Sequence, residues 1–147
     1  MSRKMMAAQF ALLLAFVAPA HAWEFTPGTP CLLTHETDDV AIRLTYDPTV
    51  PLYSISLTQS IPFAPAPIFS MQFVGPLSLQ ISTDRHRMSD QDRTVTVFDS
   101  GFGNVLNGLQ YNEVAIARLG PRQIAVSLTD AADAVAAFRE CDVVPAA

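Results

Sequence analysis

Three arginines, one histidine and three aspartates fall between Thr83 and Arg93, with Arg85, His86 and Arg87 consecutive. Guanidinium forks suit carboxylate or phosphate, and a histidine beside them can move a proton near neutral pH. An anion-binding or acid–base site could be built from this stretch. The competing reading is a solvated hairpin tip with internal ion pairs, each weak when exposed. Further on, Asp99-Ser100-Gly101-Phe102-Gly103-Asn104 puts a carboxylate, a hydroxyl and two glycines into six residues. Gly101 and Gly103 could turn backbone N–H groups inward as an anion nest at a helix start. Turn chemistry favours a glycine-rich turn with Asn104 as the helix cap. Ser100 is not in a nucleophile elbow, because that motif needs Gly-x-Ser-x-Gly and Phe98-Asp99 precede it.

His35-Glu36 followed by Asp38-Asp39 could offer oxygen and nitrogen ligands to a cation, but the spacing matches no metal loop, and a surface turn is the default. Beyond His21, His35 and His86 are the only histidines, so a three-histidine zinc site in the working chain is excluded. A Ser-His-Asp triad has no local support. Lys4 is the sole lysine and lies in a segment expected to be removed, which excludes Schiff-base and P-loop chemistry. No metal, cofactor or catalytic residue set is expected.

Arg3 and Lys4 precede the apolar run Met5 to Pro19, which closes on Ala20-His21-Ala22. This is the pattern of a secretory signal peptide cleaved near Ala22, and the run is too short for a bilayer span of roughly 20 residues. Residues 23–147 then form one domain in the periplasm or outside the cell, with no transmembrane anchor. That chain carries 7 Arg against 14 Asp plus Glu, a formal charge of −7, which argues against nucleic-acid partners. In an oxidising compartment the only two cysteines, Cys31 and Cys141, are expected to form one disulfide. A redox or metal-binding pair would call for the absent C-x-x-C spacing.

The elements that must position these residues show in the alternation of apolar and polar side chains, the period of a half-buried strand. Val40, Ile42, Leu44 and Tyr46 alternate with polar or small residues. So do Tyr53, Ile55 and Leu57, then Phe69, Met71 and Phe73, then Leu77, Leu79 and Ile81. With Cys31 to His35, Val95 and Val97, Val114 and Ile116, and Ile124 to Leu128, the count is about eight strands. Turns at Asp47-Pro48, Gly75-Pro76 and Gly120-Pro121 suggest antiparallel, hairpin-connected strands in a sandwich or open barrel. Ile61 to Pro67 holds three prolines and is expected to be an extended crossover or sheet edge that covers part of the core. Asp130 to Cys141 reads as a C-terminal α-helix capped by Thr129, with Ala131, Ala134, Val135 and Phe138 on one stripe facing the sheet. A shorter helical turn is expected over Asn104 to Gln110, although Gly108 disfavours it.

The outward strand positions Ser54, Ser56, Thr58, Ser70, Gln72, Ser78, Gln80, Ser82, Thr94 and Thr96 carry no charge. Such a polar sheet face could meet an envelope protein, a glycan or a second copy of the chain, and it could equally be an ordinary solvated face.

Trp23-Glu24-Phe25-Thr26-Pro27-Gly28, Cys31-Leu32-Leu33-Thr34-His35-Glu36, Leu44-Thr45-Tyr46-Asp47-Pro48, Tyr53-Ser54-Ile55, Ile81 to His86 and Gly101 to Leu109 together resemble a group of small secreted alphaproteobacterial proteins that often carry the label of the helicase component of excinuclease ABC. The likeness covers essentially the whole secreted part and implies no catalytic residues. A DNA-repair helicase needs a P-loop and a long cytoplasmic chain, so the label does not describe the function. The close from Ser127 to Cys141 is similar to periplasmic β-rich modules such as invasion-associated locus B proteins. The resulting expectation is a non-enzymatic periplasmic binding or interaction module. The alternative is a small anion-binding or hydrolase-like protein using Arg85, His86, Arg87 and the Asp99, Ser100, Gly101, Gly103, Asn104 loop.

Overall fold

The computed structural model describes residues 12–14 and 22–142. The expected export signal therefore lies almost wholly outside the described residues. Among the described residues no helix is long and apolar enough to cross a membrane.

The described residues build ten strands and two α-helices: β1 (Glu24–Thr26), β2 (Cys31–Glu36), β3 (Val40–Asp47), β4 (Leu52–Gln59), β5 (Phe69–Val74), β6 (Leu79–Thr83), β7 (Arg87–Ser89), β8 (Thr94–Asp99), α1 (Gly103–Gln110), β9 (Val114–Leu119), β10 (Arg122–Ser127) and α2 (Ala131–Arg139). One antiparallel sheet runs β1-β2-β3-β4-β8-β7 and the other β10-β9-β5-β6. The apolar halves of the alternating strands face each other across one core that contains Leu33, Ile42, Leu44, Leu57, Met71, Phe73, Val95 and Leu119. The result is a two-layer sandwich whose sheets do not close on each other.

Eight of the ten strands coincide with the alternating segments. The other two, β1 and β7, have three residues each, too few to display a period. The stretch from Thr83 to Arg93 is not a hairpin tip between its flanking strands, because β6 and β8 belong to different sheets and the chain crosses from one to the other there. Within it, Arg87–Ser89 pairs with Thr94–Thr96, and the turn takes left-handed backbone at Asp90, Gln91 and Asp92. The proline-rich segment is the expected crossover. It links β4 to β5, buries Phe63, and is tied back where the Phe63 amide donates to the Asp92 carbonyl at 2.8 Å.

Helix α1 forms despite Gly108, and that glycine has a packing reason. A Cβ there would fall 2.4 Å from the Phe73 ring, so only glycine lets the helix lie directly on β5. Asn104 does not cap α1. It is the second helical residue, and Phe102 precedes the helix without a side-chain cap bond. Thr129 does not cap α2 either, since its amide and hydroxyl engage the Ser127 hydroxyl, and Asp130 enters the helix in the left-handed region at φ 63°. The expected stripe does dock, with Ala131, Val135 and Phe138 buried. Phe138 meets Phe25 and Tyr53, and Cys141 is bonded to Cys31 with a Cα–Cα distance of 6.5 Å. Arg139 locks the helices together, donating from Nε to Gln110 Oε1 at 2.7 Å and from Nη2 to Asn107 Oδ1 at 2.6 Å.

Candidate functional site

The sandwich parts along the β6 edge of the four-stranded sheet, and a cleft of about 420 Å³ opens there. Strand alternation explains its floor: Ile55, Val97, Phe69, Met71 and Ile81 all point between the sheets, and Phe102 and Val105 come in from the α1 end. The next residue on the inward row of β8 is Asp99, so the apolar row ends in a carboxylate where the core meets solvent. Arg85 stands opposite, its Nη2 at 3.4 Å from Asp99 Oδ2. The other Asp99 oxygen accepts from the Ser100 amide at 2.7 Å, which fixes the carboxylate toward the arginine. Arg85 remains 74% exposed, so the pair is a weak, solvent-screened gate.

Gly101, Gly103 and Asn104 complete the rim at the N-terminal end of α1. Neither glycine is left-handed, so no nest of alternating backbone forms, and the space where a Cβ would sit is open at both. The glycines therefore keep the mouth wide rather than shape a cradle. Of the residues singled out from sequence, the cleft gathers Arg85, Asp99, Gly101, Gly103 and Asn104.

Three others lie elsewhere. His86 turns away from the cleft, and its Nε2 bonds the Ala66 carbonyl at 2.9 Å. Because a carbonyl only accepts, the ring donates from Nε2, which anchors the proline-rich crossover while Nδ1 is buried without a hydrogen-bond partner. Arg87 sits on the opposite, outer face of its sheet, with its guanidinium carbon 5.7 Å from the centre of the Phe98 ring. Ser100 is exposed at the loop and bonds only to Asp99. His86 does not reach Ser100, whose hydroxyl meets the Asp99 carboxylate at a long 3.5 Å. Sequence reasoning does not reveal Phe69, Met71 and Phe102 as site residues, because a cleft floor and a core position carry the same alternation.

His35 is not in a surface turn. It faces inward on β2, is 7% exposed, and stacks on Trp23 with ring centroids 4.6 Å apart and an interplanar angle of 6°. Trp23 Nε1 donates to the Ser127 carbonyl at 3.2 Å, bridging the two sheets. Among the described residues no group of three acidic, histidine or cysteine side chains could hold a metal ion.

The uncharged outward residues do not form one face. Ser54, Ser56, Thr58, Thr94 and Thr96 lie on the six-stranded sheet, whereas Ser70, Gln72, Gln80 and Ser82 lie on the four-stranded one. Ser78 is in the turn before β6 and bonds Gly75. Nor is either face free of charge. Arg43 is in register with Ser56 and Arg87 with Thr96 on the first, and Arg118 donates to Gln72 on the second. On the larger sheet the hydroxyls pair across strands: Thr45 with Ser54, Ser56 with Thr96 at 2.9 Å, and Thr58 with Thr94 at 2.8 Å.

No family model, curated protein or solved structure matches this chain. The geometry of the cleft and of the two outer faces is therefore what bears on function.

Proposed function

We propose that the protein is a non-enzymatic binding module of the bacterial envelope, exported to the periplasm or beyond, and that its cleft holds a small amphipathic anion. The observation that carries this reading is the exposed guanidinium of Arg85 at the mouth of an apolar-floored cleft of about 420 Å³. Ligand pockets typically combine an apolar lining with a few polar groups that fix orientation. An acyl chain laid on Ile81 and Val97, the half-buried apolar residues of the lining, gains about 0.8 kcal/mol for each methylene buried, and Arg85 selects the anionic head. His86, committed to Ala66, supports binding over hydrolysis. The disulfide and the signal-like start of the chain support the location.

Titration with hexanoate, octanoate and decanoate tests it. Affinity is expected to rise with chain length, to fall about fivefold in Arg85→Ala, and to rise in Asp99→Asn, which removes the competing carboxylate. Affinity independent of chain length, or unchanged in Arg85→Ala, would refute the reading.

The exposed Phe98 beside the hydroxyl pairs supports a second reading, a flat glycan or envelope-protein partner on the six-stranded sheet. Crosslinking from position 98 that recovers no partner counts against it.

A further inference from the structure

The four-stranded sheet has a second open edge, β10, and a separate hollow of about 320 Å³ lies there between Arg122–Ala125 and the ends of β3 and β4. Gln59 reaches into it from the last position of β4. The residue is only 8% exposed, yet its Nε2 has no hydrogen-bond partner. A buried amide donor left unmade costs free energy that a ligand acceptor would recover. Two opposite charges line the same hollow, Asp39 and Arg122. They do not pair with each other: the ion pair found among the described residues is Arg85–Asp99. A shallower hollow, sharing Gln59 and Asp39, continues on the Asp39 side and adds Glu36, Asp38 and Asp90 against one arginine, Arg93, so the balance of charge there is negative.

We propose that this hollow is a second site, for a small zwitterion with an ammonium and a carboxylate on a short chain. The ammonium lies toward Asp39 and the acidic rim, the carboxylate toward Arg122, and the Gln59 amide donates to the carboxylate or to a carbonyl beside it. The volume sits at the low end for ligand pockets, which run from roughly 300 Å³ upward, so the ligand is a compact molecule and not a polymer.

Calorimetric titration with glycine, β-alanine, γ-aminobutyrate and glycylglycine tests the site, with acetate and methylammonium as half-molecules. At least one zwitterion is expected to bind saturably, and each half-molecule at least about tenfold more weakly. Gln59→Leu, Asp39→Asn and Arg122→Gln are each expected to weaken binding roughly tenfold, while Arg85→Ala leaves it unchanged. Replacing a side chain whose buried Nε2 is unpaired by an apolar one should leave the melting temperature unchanged or raised, which separates lost binding from lost folding. Should Gln59→Leu unfold the chain, Asp39→Asn at the exposed rim carries the test. Absence of saturable binding by any of the zwitterions, acetate binding as tightly as they do, or binding unaffected by the folded variants would overturn the proposal.

Discussion

Asn112 is 9% exposed and uses its amide three times. Its Oδ1 accepts from the Leu77 amide at 3.0 Å, and its Nδ2 donates to the carbonyls of Leu77 at 2.8 Å and Gly108 at 3.0 Å. One side chain thus ties the turn before β6 to the end of α1, the two elements that flank the open edge of the sandwich. Asn112→Ala strands three backbone groups and is expected to cost about 3 kcal/mol in denaturant unfolding, and a loss below about 0.5 kcal/mol would show that water replaces the amide freely. Nothing in the sequence marks this residue, because an asparagine next to a strand reads as an ordinary turn. Arg85 and Asp99 are legible for the opposite reason. Arg85 sits in a polar run between patterned strands, where a charge has no part in the alternation, and Asp99 puts a charge at the end of the inward row of β8, where the pattern calls for an apolar residue. His86 shares that visibility and misleads, since its neighbours in sequence say nothing about the Ala66 carbonyl 20 positions away.

At the scale of elements, α1 depends on what it lacks. Gly108→Ala improves intrinsic helix propensity by about 1 kcal/mol, but the added methyl meets the Phe73 ring at 2.4–2.6 Å. Phe73 is fully buried and cannot step aside. The substitution is expected to destabilise by about 1–3 kcal/mol, seen as a lower melting temperature, whereas Gly101→Ala, with open space around it, is expected to be near neutral. A Gly108→Ala protein as stable as the parent would mean that α1 does not press on β5 as described. Strand identity is readable because a one-residue slip would turn every core side chain outward, so the pattern must be kept. Sheet membership is not readable. Alternation reports that β6 and β8 each bury one face, but not that they bury it from opposite sides of the core, and the cleft between them exists only because of that split.

For the whole molecule, the Cys31–Cys141 bond spans 110 residues and joins the start of β2 to the segment after α2. Closing a loop of that length constrains the unfolded chain by about 4–5 kcal/mol in the entropy model. The double variant Cys31→Ala, Cys141→Ala is expected to lose stability of that order in denaturant unfolding; a loss under about 1 kcal/mol would show that packing of α2 alone holds the C-terminus. The pairing is legible from sequence, since two cysteines in one chain allow one intramolecular arrangement. The outer face of the larger sheet departs from its sequence in a more informative way. Composition describes it as a lawn of hydroxyls, each ready to bind water. In the folded chain Thr45 with Ser54, Ser56 with Thr96, and Thr58 with Thr94 turn to each other, and in every such pair one of the two hydroxyl protons is already spent. The surface is accordingly drier than its residues are polar, and whatever covers it displaces fewer firmly held waters than a count of serines and threonines would suggest.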